Sequence, residues 1–366
     1  MNNEVFREAG KKLSSILYDM GLYREIVYEE PALEDLKETT ATTYPIKAFE
    51  KFLGFYDNKE KIAFNPSISF NTDFSYCISS CRYTSEEGKD SVSLDNEINA
   101  TYVSKAEKAL VYFRKRFGIK GSFQFNIKRF RRYENAKGMS ESSAVAAAVS
   151  LSLINNVFPG MKEKSALASR FARLVSGSGT RACINGLSMW LSYPGMNSDQ
   201  SFAFKLRDNP LNFHYGIFPK ERGIPTDRAH ETAVKSIFYE SWINDKYNAI
   251  KKGIDNNFNE SFLLERGQED SLNLHSVLLS GQLLIQTPES IELIGKILDF
   301  QKKNDGLYLN ADTGPSIMIA SREKSIMNEF REEVSDYFLE GSFNFHGHES
   351  NEAKFKKESS EFFSNF

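Results

Sequence analysis

The sequence predicts an α+β protein of two domains, on three observations. Its 366 residues exceed the roughly 150 that a single domain usually takes. From Thr43 onward, short runs alternate polar and apolar residues between turn signals, the mark of strands. Beyond residue 200 helical periodicity dominates and closes on a strand pair around Asp312. With 40% hydrophobic and 26% charged residues, the composition excludes global disorder and fibrous repeats.

In chain order, Val5, Ala9, Leu13, Ile16, Leu17 and Met20 recur at helical spacing and predict an added helix over 3–22, within an extension spanning 1–40. The first domain, 41–200, contains the β-rich runs Ile62–Phe64, Ser67–Phe70 and Ser122–Ile127. It also holds the small, apolar helix Ser142–Ile154, too short to span a bilayer, and a second helix ending near Val175. The Gly/Ser-rich turn Ser176–Thr180, a helix or strand with Trp190 and the punctuation Tyr193-Pro194-Gly195 complete it. The second domain, 201–348, has expected helices at 228–254, 257–266, 271–284 and 288–303, with turns at Gly306 and Gly314-Pro315. The remainder, 349–366, is rich in Lys, Glu and Ser and reads as a solvated helix or frayed polar tail.

Charge and cysteine narrow the partners. Against 49 acidic side chains stand 46 basic ones, a net charge of -3, so nothing in the whole chain attracts nucleic acid or an anionic membrane. Phosphate recognition must be local. Cys77 and Cys81 form a lone Cys-x-x-x-Cys among three cysteines, which predicts neither a disulfide scaffold nor a metal site. With no apolar run of membrane length and no signal peptide, a reducing cytoplasm is the expected setting.

Three segments carry chemistry. Gly138-Met139-Ser140-Glu141-Ser142-Ser143-Ala144 opens an Ala-rich helix, where free backbone N–H groups and the helix dipole suit a phosphate, or where Ser140 or Ser142 simply caps the helix. Ser176-Gly177-Ser178-Gly179-Thr180-Arg181 joins hydroxyls to one fork-shaped cation, suited to phosphate or carboxylate. Ala311-Asp312-Thr313-Gly314-Pro315 places a carboxylate on a tight turn between apolar runs.

Taken in order, Lys51 with Gly54, Asn65-x-Ser67-Ile68-Ser69, Gly138…Ser142-Ser143-Ala144, Ser176-Gly177-Ser178…Arg181, Asp270-Ser271…His275 and Asp312-x-Gly314-Pro315 resemble the diphosphomevalonate decarboxylase family of the GHMP kinase superfamily. The resemblance covers roughly residues 40–330. It implies a two-domain GHMP-kinase-like fold, with a ribosomal protein S5 domain 2-like N-terminal part, a ferredoxin-like C-terminal part and the extra N-terminal helix. By position, Asp312 matches the family's catalytic aspartate, Lys51 its active-site lysine, Arg181 its arginine near the substrate carboxylate and Ser178 a serine at the 5-phosphate end. Ser176, Thr180, Ser142, Ser143 and Lys47 join the expected substrate-binding set. Relatives are commonly homodimers.

The departures from the family pattern matter as much. The family's ATP loop reads like Pro-x-x-x-Gly-Leu-Ala-Ser-Ser, whereas here Glu134 takes the Pro position and Glu141 lies inside the loop. A carboxylate about 4 Å from a phosphate charge costs about 1–4 kcal/mol per pair. Where the family has Tyr-Trp-Gly-Lys, Lys51 is followed by Phe52-Leu53-Gly54-Phe55, and Ile46 and Ile98 replace an Asn and an Arg. These changes predict a pocket for an anion smaller than, or placed differently from, a diphosphate. Lys47 or the run Lys128–Arg132 compensates in part, though alternation marks that run as a strand with one solvated face.

Retained catalytic groups beside a compromised ATP loop imply an ATP-independent decarboxylase whose substrate, mevalonate 3,5-bisphosphate, arrives already phosphorylated at C3, as in relatives from thermoacidophilic archaea. Its products are isopentenyl phosphate, CO2 and phosphate, and no cofactor is expected, with Mg2+ not required. Asp312 then holds Lys51 and repels the substrate carboxylate. The alternatives are an ATP-dependent kinase of the same pathway, the ATP-dependent decarboxylase itself, or a binding protein descended from the family. His275 is expected either at the site rim or packed between helices, Cys183 in the core, and His346 and His348 at the surface.

Overall fold

The computed structural model describes residues 2–98, 100–133, 139–221, 223–345 and 348–364. Glu134, Gly138 and His346 lie outside the described residues. The first half comprises α1 (Asn3–Asp19), β1 (Glu38–Thr43), β2 (Ile46–Glu50), β3 (Phe55–Asp57), β4 (Ile62–Ala63), β5 (Ser67–Asn71), β6 (Ser75–Thr84), β7 (Ser91–Leu94) and β8 (Glu97–Ile98). It continues through α2 (Ala100–Phe117), β9 (Ser122–Arg131), α3 (Glu141–Val157), α4 (Lys164–Val175), the single turn α5 (Gly179–Ala182), β10 (Ser188–Trp190) and β11 (Ala203–Lys205). The second half runs β12 (His214–Phe218), α6 (Thr226–Ala233), α7 (Tyr239–Asp255), α8 (Glu260–Ser280), α9 (Pro288–Gln301), β13 (Leu307–Ala311), β14 (Ile317–Ser321), α10 (Lys324–Glu333), β15 (Leu339–Glu340) and α11 (Glu349–Ser364).

Three sheets organise these elements, in the orders β1-β6-β9-β7-β8, β11-β10-β5-β2 and β13-β14-β12-β15, beside the small hairpin β3-β4. β11 still pairs with β10, so pairing within the first half runs on past residue 200, and β12 is the first strand of the last sheet. The mixed helix-and-sheet architecture is the α+β class the sequence predicts.

Side-chain alternation along β6 explains how the first sheet is covered on both faces. Ser79 meets Ser152 of α3, and on β1 Thr43 donates to the Ala144 carbonyl. The run Ala144–Ala148 lets α3 press this closely, and nearly all its residues are buried. The opposite face receives α11: Thr42 donates to Glu352, Asn126 to Ser359, and Arg82 to the Phe363 carbonyl at 2.8 Å. Phe355, Ser359 and Phe363 are buried there, so the segment read as a solvated helix or frayed tail is a helix, but a docked one. Sequence periodicity in a Lys/Glu-rich segment hides a narrow apolar line such as this one.

Two further readings shift in detail. The buried line of α1 is Phe6, Gly10, Leu13 and Leu17, whereas Val5, Ile16 and Met20 are largely exposed. Gly10 is what turns the face, because Tyr193 packs where its Cβ would be. In the second half, the separate helices expected at 257–266 and 271–284 are one continuous α8, capped by the Asn259 side chain accepting from Phe262 N. α9 starts at Thr287-Pro288, a capping hydroxyl followed by proline in the first turn.

Candidate active site

The site forms where the end of β2 meets the hairpin between β13 and β14, with α8 beneath both. A bulge between Ala48 and Glu50 bends the strand end. Lys47 in the strand and Lys51 just past it are both buried, and both reach Asp312. Lys47 is the nearer, with Nζ 3.1 Å from Asp312 Oδ2. Lys51 Nζ stands 4.0 Å from Oδ1. Asp312 is expected to hold Lys51, and it does pair with that ammonium, but Lys47, expected in the substrate-binding set, is its closer partner.

Lys51 is held by neutral acceptors instead. Its Nζ donates to the Ala48 carbonyl at 2.9 Å, the Ser271 hydroxyl at 3.0 Å and the Gly267 carbonyl at 3.4 Å. Its backbone N–H donates to Asp270 at 2.7 Å. Burial brings the ammonium pKa down from 10.5 to about 8, against the opposing pull of Asp270 and Asp312.

Arg181, on the single-turn α5, is also buried, with Nε and Nη1 lacking hydrogen-bond partners among the described residues. Its guanidinium lies 5.6 Å from the Phe52 ring centroid. Burial lowers its pKa to about 10, with Asp312 pulling the other way, so it stays cationic at neutral pH. Two unused donors on a buried cation suit a planar anionic group. Ser176 and Ser178 lie in the preceding loop with hydroxyls 3.2 Å apart, both partly exposed. Phe52 and Phe55 press onto Gly177 between them, where a Cβ would come within 2.7 and 3.3 Å of the rings. The two aromatic rings therefore fill this flank of the loop. His230 packs at a tilt against both rings and accepts from Gly54 N at 2.9 Å, and burial takes its pKa to about 4.

Other expected residues stand elsewhere or are already engaged. Thr180 donates to the Gly177 carbonyl at 2.8 Å and Ser143 to the Ser140 carbonyl at 2.6 Å, so neither hydroxyl offers its proton to a ligand. Ser142 is exposed in the first turn of α3. Ile46 is a core residue and Ile98 is 68% exposed on β8. His348 bonds Tyr44 and the Phe345 carbonyl, and Cys77, Cys81 and Cys183 are buried thiols.

The nucleotide end can be tested on Glu141. Its carboxylate sits at the start of α3, bonded by Arg131 and 3.8 Å from Arg129, which in turn is 2.5 Å from Asp95. Two arginines and two carboxylates sum to zero charge, and the helix dipole there already faces a carboxylate. Ser140 makes no side-chain cap and is left-handed at φ 57. Among the described residues this group therefore offers no net positive charge to a triphosphate.

Sequence reasoning missed the buried ion cluster under the site. Lys246 on α7 contacts Asp270 and lies 3.2 Å from Glu50, while Arg266 contacts Glu50 and lies 2.5 Å from Asp245. Trp242 Nε1 adds a bond to Asp270 at 2.9 Å. Burial alone would raise Asp270, but Lys246, Lys51 and Arg266 hold it below the ordinary carboxylate range. The available signal was Glu50 inside an apolar strand and the i,i+4 pair Arg266/Asp270 on one helix face. His275, left open between rim and packing, is partly buried, bonds Gln286 at 3.1 Å and stays neutral with a pKa near 4, lowered by burial and then by Lys51. Gln286 also donates to the Gly314 carbonyl at 3.2 Å and so braces the Asp312 turn.

Two buried lysines, the half-buried Asp312 and the buried Arg181 thus gather where the two α+β halves meet. Residues 43–203 match the family described as diphosphomevalonate decarboxylase-like N-terminal domain. Over 359 residues the chain is 52% identical to a mevalonate 3,5-bisphosphate decarboxylase of Thermoplasma volcanium, covering 98% of this chain and 96% of that one. A Thermoplasma acidophilum protein of the same name is 49% identical, covering 97% and 88%. Among solved structures, mevalonate diphosphate decarboxylase from Staphylococcus aureus superposes with a TM-score of 0.73 at 20% identity, over 84% of this chain and 96% of that one. The chain belongs to the diphosphomevalonate decarboxylase family.

Proposed function

We propose that this chain is a carboxy-lyase that converts mevalonate 3,5-bisphosphate to isopentenyl phosphate, CO2 and phosphate without a nucleotide, in the mevalonate route to isoprenoids. The likeness of about half of all positions to two relatives of that name, over nearly the whole chain, supports the substrate. The observation that carries nucleotide independence is Glu141, a carboxylate of the protein's own at the start of α3, neutralised by Arg131. With the reading go a homodimer and an archaeal source, both from the family resemblance, and a cytoplasmic setting, from the expectation drawn on the sequence.

Because C3 already carries phosphate, no hydroxyl needs a base. The C3–O bond breaks with its electron pair leaving on phosphate, and the C1–C2 pair becomes the C2=C3 double bond as CO2 departs. Lys51 and Arg181 stabilise charge on the departing phosphate, in a buried setting where such charges act strongly. Asp312, fixed by Lys47, faces the substrate carboxylate and disfavours its charge, a strain relieved as CO2 forms. Ser176 and Ser178 hold the 5-phosphate end beside the Phe52/Phe55 wall.

Incubating the purified protein with mevalonate 3,5-bisphosphate in EDTA, without nucleotide, is expected to yield phosphate and isopentenyl phosphate in equal amounts. Strict dependence on added ATP would overturn the reading in favour of a kinase or the ATP-dependent decarboxylase.

A further inference from the structure

One hydroxyl touches both halves of the catalytic cluster. Ser271 is fully buried on α8, one turn after Gly267. That glycine lets the helix approach both strands, since a Cβ there would lie 2.9 Å from Phe49 of β2 and 3.0 Å from Asn310 of β13. Ser271 Oγ donates to the Gly267 carbonyl at 2.6 Å and accepts from Lys51 Nζ at 3.0 Å and from Ala311 N at 3.1 Å. A hydroxyl has one proton and two lone pairs, so its capacity is filled. Ala311 is the last residue of β13, and Asp312 follows it directly.

We propose that Ser271 is a positioning residue that fixes the separation of Lys51 from Asp312 by holding the lysine side chain and the end of the aspartate's strand on a single oxygen. The neighbouring bonds do not duplicate this. Asp270 anchors only the Lys51 backbone, and Asn310 ties β13 to Ala48 through its amide at 2.9 Å without touching either catalytic side chain. Lys47 pairs with Asp312 directly, and the like charge of the two ammonium groups pushes them apart, so a tether on Lys51 is needed to keep both beside one carboxylate. Without the hydroxyl, Lys51 Nζ retains only carbonyl acceptors and the β13 end loses the bond at Ala311.

The proposal rests on the reading that Lys51 and Asp312 act on the substrate, and its test has one arm that does not. Ser271→Ala and Ser271→Thr are compared with the parent protein, folding being followed by thermal unfolding. For Ser271→Ala, kcat is expected to fall roughly 10- to 100-fold with KM little changed, as for a small misplacement of reacting groups. The alkaline limb of the rate profile should move to lower pH, and Ser271→Thr, which keeps the hydroxyl, should restore much of the rate. Independently of turnover, the pH dependence of Lys51 acetylation by trace acetic anhydride, read by mass spectrometry, should shift to lower pH in Ser271→Ala because the ammonium loses an acceptor. An unshifted Lys51 profile overturns the proposal even if the parent proves inactive on the bisphosphate. So does a loss of rate that follows a loss of thermal stability and leaves the pH limb in place. A parent that turns nothing over, but whose Lys51 shifts as expected, would instead remove the functional reading and leave the tether standing.

Discussion

Lys51 concentrates the chemistry of the site in one titration. In the free protein its ammonium loses a proton near pH 8 instead of 10.5 because burial penalises the charge. If the protonated form stabilises departing phosphate, kcat/KM is full below that value and falls as pH rises through it. Bound phosphates favour the charged form, so the limb in kcat should lie at higher pH than the limb in kcat/KM. Rates measured across pH 6–10 check both, and Lys51→Arg, which cannot deprotonate in this range, should abolish the limb at whatever rate remains. Stability takes the opposite sign: between about 8 and 10.5 the unfolded chain binds more protons at Lys51 than the folded one, so its contribution to stability rises with pH there while activity falls. The sequence marks Arg181 and Asp312 by the segments that hold them, and Lys51 only by the family resemblance. It does not mark that Lys47 is the closer partner of Asp312, because that depends on a bulge and on a strand 265 residues later in the chain meeting β2, neither visible in local pattern.

At the scale of elements, those with strong local chemistry were legible: the Ala-rich α3, the Thr-Pro start of α9 and the strand pair around Asp312 all form where pattern places them. α11 was not, because only Phe355, Ser359 and Phe363 of its residues turn fully inward, and the polar remainder dominates the composition. Phe355→Ala removes a buried aromatic from that line and should destabilise the protein by about 3–5 kcal/mol. Urea unfolding followed by circular dichroism measures it; a loss below about 1 kcal/mol would mean that the helix contributes little to holding the sheet.

For the molecule as a whole, the two halves are joined under the site by charge as well as by packing. Glu50 and Arg266 come from distant parts of the chain, as do Lys246 and Glu50, and Lys246 is completely buried. Lys246→Met keeps the stem but leaves Glu50 and Asp270 short of a cation. It should cost about 3–5 kcal/mol, the range for breaking rather than replacing a buried pair. A cooperative unfolding curve with an unchanged midpoint would show that Arg266 alone suffices. Glu50 inside an apolar strand signals a buried charge, but its partners lie on two helices that only the topology brings beneath it, and that pairing the sequence could not disclose. The docking of α11 has a further consequence in time. Arg82 of β6 waits for the carbonyl of Phe363, 281 residues later, so one face of the first sheet stays uncovered while the ribosome makes the second half. At about 5–20 residues per second that exposure lasts on the order of tens of seconds. During synthesis the outer row of β1, β6 and β9 therefore stays open to solvent until α11 has emerged and covers it.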